Sequence, residues 1–199
     1  MQQIETNKKG ENMQFDKVSW LFLAGIGNSG EQHWQRMWAN KLPNSIWLEH
    51  SEWEAPQRDL WVQELNEAVA QLTQPTVVVS HSLGCLLLLE WASMHRCEHL
   101  VGGFLVAVPD PMSAAFPAEA KGFRRGFEHN AALPLTLIAS QDDPYGSIDY
   151  AQRCAQQWGA SITNIGPKGH INASSNLGDW REGFELLTGF VDGIEYIEY

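Results

Sequence analysis

The chain has 199 residues, and its 24 Asp and Glu against 13 Lys and Arg leave a net charge of −11. It therefore lacks the cationic surplus that neutralises phosphates, which argues against nucleic acid or an anionic membrane as partner. A hydrophobic share of 44% and a charged share of 19% are those of one globular domain able to bury a core, and no apolar run approaches a membrane span.

Residues 1–15 read as a loose polar lead ahead of a single domain over 16–199, with Met13 a second candidate start. The first 17 residues lack the apolar middle of a secretory leader. Residues 18–24 are nearly all apolar and predict a central strand. It ends in Gly25-Ile26-Gly27-Asn28-Ser29-Gly30, which opens a helix over 31–42. Trp34 and Trp38 share that helix's core-facing side, and His33 at its start reads as a capping or surface residue before a substrate contact. Residues 45–49 predict a short strand and 50–57 a loop. Residues 58–72 predict a helix whose stripe is Trp61, Leu65, Ala68, Val69 and Leu72.

Gln74-Pro75 breaks the chain before Thr76-Val77-Val78-Val79, a β-branched run that predicts a buried strand. A run of helix formers begins at Leu83, and between the two lies Ser80-His81-Ser82-Leu83-Gly84. A small-x-Ser-x-Gly string at a strand-to-helix junction is the context of a nucleophile elbow. There the serine hydroxyl of Ser82 is lifted clear of the sheet, and the Leu83 amide faces the place where an oxyanion forms. Ser80 stands where the pattern has its first glycine, a small residue that adds slight crowding. His81 reads as packed or hydrogen-bonded near the turn, and Cys85 as a small buried residue.

Residues 100–108 predict another buried strand. The long connection over 109–133 allows only a helical turn or two, so a minimal cap and an open, shallow site are expected. Its Lys121, Arg124 and Arg125 read as a solvated basic face. Strands over 135–140 and 161–165 flank a helix over 148–158, and a last helix covers about 178–191. The alternation implies an α/β fold of about six mostly parallel strands with helices on both faces. Cys85, Cys97 and Cys154 are odd in number and without paired spacing, which suits a reducing cytoplasm. His95-Arg96-Cys97-Glu98-His99 gathers metal-ligand types but lacks a second cluster, so no metal is expected.

Functional residues in a parallel sheet gather at the carboxyl ends of its strands. Ser82 follows the third strand, Asp142 and Asp143 the fifth, and His170 the sixth, in the order Ser, Asp, His. A serine hydroxyl needs a base to take its proton, and a histidine can do so near neutral pH. A carboxylate fixes that histidine's tautomer. Asp143, stiffened by Pro144, is the better candidate, while Asp142 could cap the turn. The loop after the first strand would supply the second oxyanion amide, from Ile26 or its neighbour Gly27, with Ile26 preferred. The rival reading of that loop is a G-x-G-x-x-G dinucleotide site, with Glu49 at the spacing of a ribose contact.

The glycine loop with His33-Trp34, the serine segment, Ser140-Gln141-Asp142-Asp143-Pro144-Tyr145, and Gly169-His170-Ile171-Asn172-Ala173 followed by Leu177-Gly178-Asp179-Trp180 resemble one family. It is the small serine-hydrolase family that includes retinoblastoma-binding protein 9 and many bacterial members. The resemblance runs over about 18–191 and implies a compact α/β-hydrolase fold, a triad of Ser82, Asp143 and His170, and no cofactor. The expected activity is hydrolysis of a small-molecule ester, or of an amide or thioester. The alternative is an idle site in a protein that kept the fold to bind a ligand or another protein.

Overall fold

Strands that are apolar at nearly every position require cover on both sheet faces, and this sheet has it. The computed structural model describes residues 11–12, 15–123 and 133–196. Its strands are β1 (Glu11–Asn12), β2 (Ser19–Leu23), β3 (Ser45–Trp47), β4 (Thr76–His81), β5 (Leu100–Val106), β6 (Leu135–Ala139), β7 (Ser161–Asn164) and β8 (Glu195–Tyr196). The helices are α1 (Trp34–Lys41), α2 (Arg58–Val69), α3 (Leu83–Met94), α4 (Ile148–Trp158) and α5 (Arg181–Asp192). Six strands form one sheet in the order β3-β2-β4-β5-β6-β7, and every neighbouring pair is parallel. All six carboxyl ends therefore lie on one side.

Successive strand residues point to opposite faces, which splits the core in two. Trp20, Phe22, Val77, Val79 and Phe104 pack under α1 and α5 against Trp34, Trp38, Leu187 and Val191. Leu21, Leu23, Val78, Leu105 and Leu137 pack under α2, α3 and α4 against Trp61, Leu65, Leu86 and Trp158. Gly84 lets α3 approach the end of β2. A Cβ there would lie 2.8 Å from Ala24 O and closer still to Leu23 O.

Several boundaries differ from those expected. Helix α1 begins at Trp34 because His33 caps it, its Nδ1 accepting the Gln35 N–H at 3.2 Å. Helix α2 stops at Val69, although Leu72 is still buried. Helix α5 begins at Arg181 because Gly178 and Trp180 have φ of +59° and +43°, which no right-handed helix accommodates. Within the expected lead, Glu11–Asn12 pair antiparallel with Glu195–Tyr196, and Phe15 packs on Trp20 and Phe184. In its described part, 109–123, the long connection consists of turns that bury Phe116, Ala120 and Phe123. Lys121 is exposed and bridges to Gln57, while Arg124, Arg125 and Met13 lie outside the described residues. Cys85, Cys97 and Cys154 are free thiols.

Candidate active site

Ser82 sits between the end of β4 and the start of α3 with φ +53° and ψ −123°, a conformation that strains a side-chain-bearing residue. Its N–H donates to Val106 O at 3.0 Å, which pins the turn to β5. Gly25, at the end of β2, leaves room for it, since a Cβ there would lie 2.9 Å from Ser82 Cβ. Ser80 is fully buried, and its hydroxyl donates to Cys85 Sγ at 3.3 Å. Cys85 in turn donates to Val106 O at 3.4 Å, and burial pushes its thiol up to about 12. The serine that replaces a glycine is thus hydrogen-bonded in place.

His170 Nε2 lies 2.8 Å from Ser82 Oγ, and His170 Nδ1 lies 2.9 Å from each oxygen of Asp143. Asp143 also accepts the Tyr145 N–H at 2.9 Å, closing the turn around Pro144. Asp142 faces elsewhere. Its Oδ1 accepts the Gly169 N–H at 2.7 Å and the Ser140 hydroxyl at 2.8 Å, and those bonds, the Gly169 one foremost, hold its carboxyl below the usual range. It ties the loop after β6 to the loop that carries His170.

That second loop is bent by Gly169 and Ile171, with φ of +56° and +49°. For a β-branched isoleucine such a φ is costly and persists only where neighbours enforce it. Two donors do so from the other side of the sheet end. The Trp34 indole N–H donates to Ile171 O at 2.7 Å, and His81 Nε2–H donates to His170 O at 2.9 Å. Trp38 adds a bond to Asp179 O at 2.6 Å. Burial, followed by the charges of His33 and His170, holds His81 well below the ordinary histidine range, so it is a neutral donor.

Beside Ser82 opens a pocket of about 200 Å³. Ile26, Leu83, Pro109, Phe116, Pro117 and Tyr145 give it apolar walls, and Asn28, Ser29, His33 and Asn172 polar ones. Nine tryptophans notwithstanding, none of the residues lining it is a tryptophan, and none is Lys, Arg, Asp or Glu. The Ile26 and Leu83 amides both face no protein acceptor among the described residues. The Gly27 amide is spent on Trp53 O at 3.0 Å, which leaves Ile26 as the free amide of the two. The dinucleotide reading fails on geometry. The first turn of α1 is capped by His33 rather than open to a pyrophosphate, and Gly25 serves the packing of Ser82. Among the described residues no group of three or more His, Cys, Asp or Glu is placed to hold a metal ion.

A serine hydrolase family profile matches residues 20–189. The chain belongs to the serine hydrolase family. It is similar to the Bacillus subtilis hydrolase YdeN, with 24% identity over 140 residues that cover 68% of this chain and 74% of that one. The solved structure of the ydeN gene product aligns at TM-score 0.75 and 20% identity, covering 87% and 98% of the two chains. A YdeN-like hydrolase from Pectobacterium atrosepticum aligns at TM-score 0.79 and 27% identity over 90% of this chain and 94% of the other. An alpha-beta serine hydrolase homologue from Coxiella burnetii shares the fold at TM-score 0.62 and 11% identity, covering 91% and 88%. The hydrolase thus has an α/β-hydrolase sheet with turns in place of a helical cap over the described part of its long connection.

Sequence reasoning missed one buried link in this hydrolase. Gln35 donates to Leu23 O and Val79 O and accepts the Ser29 hydroxyl, joining the ends of β2 and β4 to the glycine loop. A glutamine beside Trp34 on an amphipathic helix carries no signal of this, because both acceptors come from other strands.

Proposed function

We propose that this hydrolase cleaves small uncharged esters through an acyl-enzyme on Ser82. The observation that carries the reading is the continuous hydrogen-bonded path Asp143–His170–Ser82 opening on a pocket that presents two unspent amides. In this mechanism His170 Nε2 takes the Ser82 proton as Oγ attacks the ester carbonyl. The Leu83 and Ile26 amides hold the resulting oxyanion, and Asp143 keeps the imidazole in the tautomer that presents a lone pair to serine. His170 then protonates the leaving alkoxide. A water deprotonated by the same nitrogen attacks the acyl group, which leaves as the acid. An ester is favoured over an amide because the pocket offers no charged side chain to orient a peptide. Three free cysteines are in keeping with a cytoplasmic setting. The motif segments around Ser82 and His170 support kinship with the branch that includes retinoblastoma-binding protein 9.

Intact-mass detection of a fluorophosphonate adduct tests the reading. One adduct on the wild type and none on Ser82→Ala is expected, together with turnover of short-chain esters. A folded wild type that takes no adduct would overturn it in favour of an idle, ligand-binding site.

A further inference from the structure

Among the described residues, His33 holds the one buried side-chain polar atom of the pocket that has no hydrogen-bond partner. It is 4% exposed and lines the pocket beside Ser82. Its Nδ1 accepts the Gln35 N–H, so in the neutral ring the proton sits on Nε2. That Nε2–H has no acceptor in the protein. Other buried side-chain atoms are also unpaired, including those of Trp20, Trp47, His50, Glu90 and Trp180, but His33 alone among these lines the pocket. Three neighbouring polar atoms have partners of their own. The Ser29 hydroxyl donates to Gln35, Asn28 Oδ1 accepts the Ser29 N–H, and Asn172 Oδ1 accepts from Ser174. A buried donor without an acceptor is unfavourable unless something entering the site supplies one.

Resting on the ester-hydrolase reading, we propose that His33 is a specificity residue whose Nε2–H binds an uncharged oxygen in the alcohol part of the substrate. The side of the pocket follows from the ring contacts. His33 lies 4.7 Å from the His81 ring, which lies 4.9 Å from the ring of His170, the group that protonates the leaving alcohol. The acceptor is uncharged because the pocket has no cation to match an anion and because His33 is itself neutral. Burial, with the charge of His170 adding to it, lowers its pKa to about 4. The substrate class is therefore an ester of an alcohol bearing a second oxygen, of the glycol or glycerol type, with a short apolar acyl group toward Pro109, Phe116 and Pro117.

The test compares 2-methoxyethyl butanoate with n-butyl butanoate, which differ by one oxygen for one methylene. The read-out is the ratio of their kcat/KM values in wild type and variants, so that their intrinsic reactivities cancel. His33→Asn keeps a good N-cap but removes the distant donor, and His33→Gln keeps a donor near Nε2 but weakens the cap. The ratio is expected to fall about five- to tenfold in H33N, the worth of one neutral hydrogen bond, and to be largely restored in H33Q despite a lower Tm. A capping role alone would leave the ratio unchanged in both variants, and that result overturns the inference while leaving the hydrolase reading intact. A wild type that takes no fluorophosphonate adduct and hydrolyses neither ester overturns both.

Discussion

Two histidine–carboxylate pairs sit among the described residues, and one of them opens on the pocket beside Ser82. His170 Nδ1 meets Asp143 while its Nε2 meets Ser82. His50 Nδ1 likewise meets Glu64 Oε2, but its ring lies flat on Trp61 at 3.8 Å and its Nε2 is buried without a partner. The remaining Glu64 oxygen accepts the N–H and hydroxyl of Ser51, which anchors the loop after β3. The same two residue types thus make a candidate base in one place and a loop anchor in the other. What separates them is the third group and the open volume. At the ends of β4, β6 and β7 the parallel sheet brings a strained serine, a carboxylate and a histidine together around a cavity, whereas His50 is roofed by Trp53 and Trp61.

Exchanging the carboxylates breaks the comparison most sharply. Asp143→Asn is expected to lower kcat by about 10³- to 10⁴-fold with little change in stability, because the imidazole loses its orienting partner. Glu64→Gln should leave ester turnover near wild type and cost about 1–3 kcal/mol of stability, read by chemical denaturation. The reverse pattern would mean that the roles of the two pairs have been misassigned.

A smaller effect is expected from Trp34→Phe, which keeps the ring but deletes the N–H that holds Ile171 in its left-handed conformation. With the His170 loop loosened, kcat should fall about tenfold while KM stays close to its original value. A KM change alone would show that Trp34 acts on the pocket and not on the histidine.

The smallest effect sharpens the comparison through pH. Burial lowers the pKa values of His33, His50 and His81 from the ordinary 6.5, with Glu64 partly opposing the shift at His50. Because the folded values are the lower ones, the unfolded chain binds more protons as pH falls below 6.5. Stability contributed by these neutral rings is complete above that point and declines as pH falls below it, down to about pH 4 for His33, by up to about 1.4 kcal/mol per pH unit for each histidine. His50→Gln should make stability, read by chemical denaturation, fall less steeply as pH drops below 6.5. An unchanged slope would show that His50 is not neutral in the fold.

Much of this architecture can be read directly from the chain. The four inner strands, β2, β4, β5 and β6, are legible because each is a short, largely apolar run, and a buried parallel strand needs apolar residues on both faces, whereas the edge strands β3 and β7 are partly exposed. Ser82, Asp143 and His170 are legible as candidates because each follows a predicted strand and because serine, carboxylate and imidazole are the types that acyl transfer requires. The ends of α1 and α5 are less legible. A histidine cap and a left-handed tryptophan decide them, and neither His33 nor Trp180 is an ordinary cap residue.

By itself, then, the sequence determined the strand–helix alternation, the elbow and the order of its candidate partners, since all of these depend on residue type and short spacing. Only the tertiary structure decided which groups are spent. The Gly27 amide goes to Trp53, Asp142 to Gly169, and the Trp34 indole to a carbonyl 137 residues away. It also left the Nε2–H of His33 without a partner. Hydrogen-bond satisfaction in a core is a property of contacts between distant segments, and no local pattern records it.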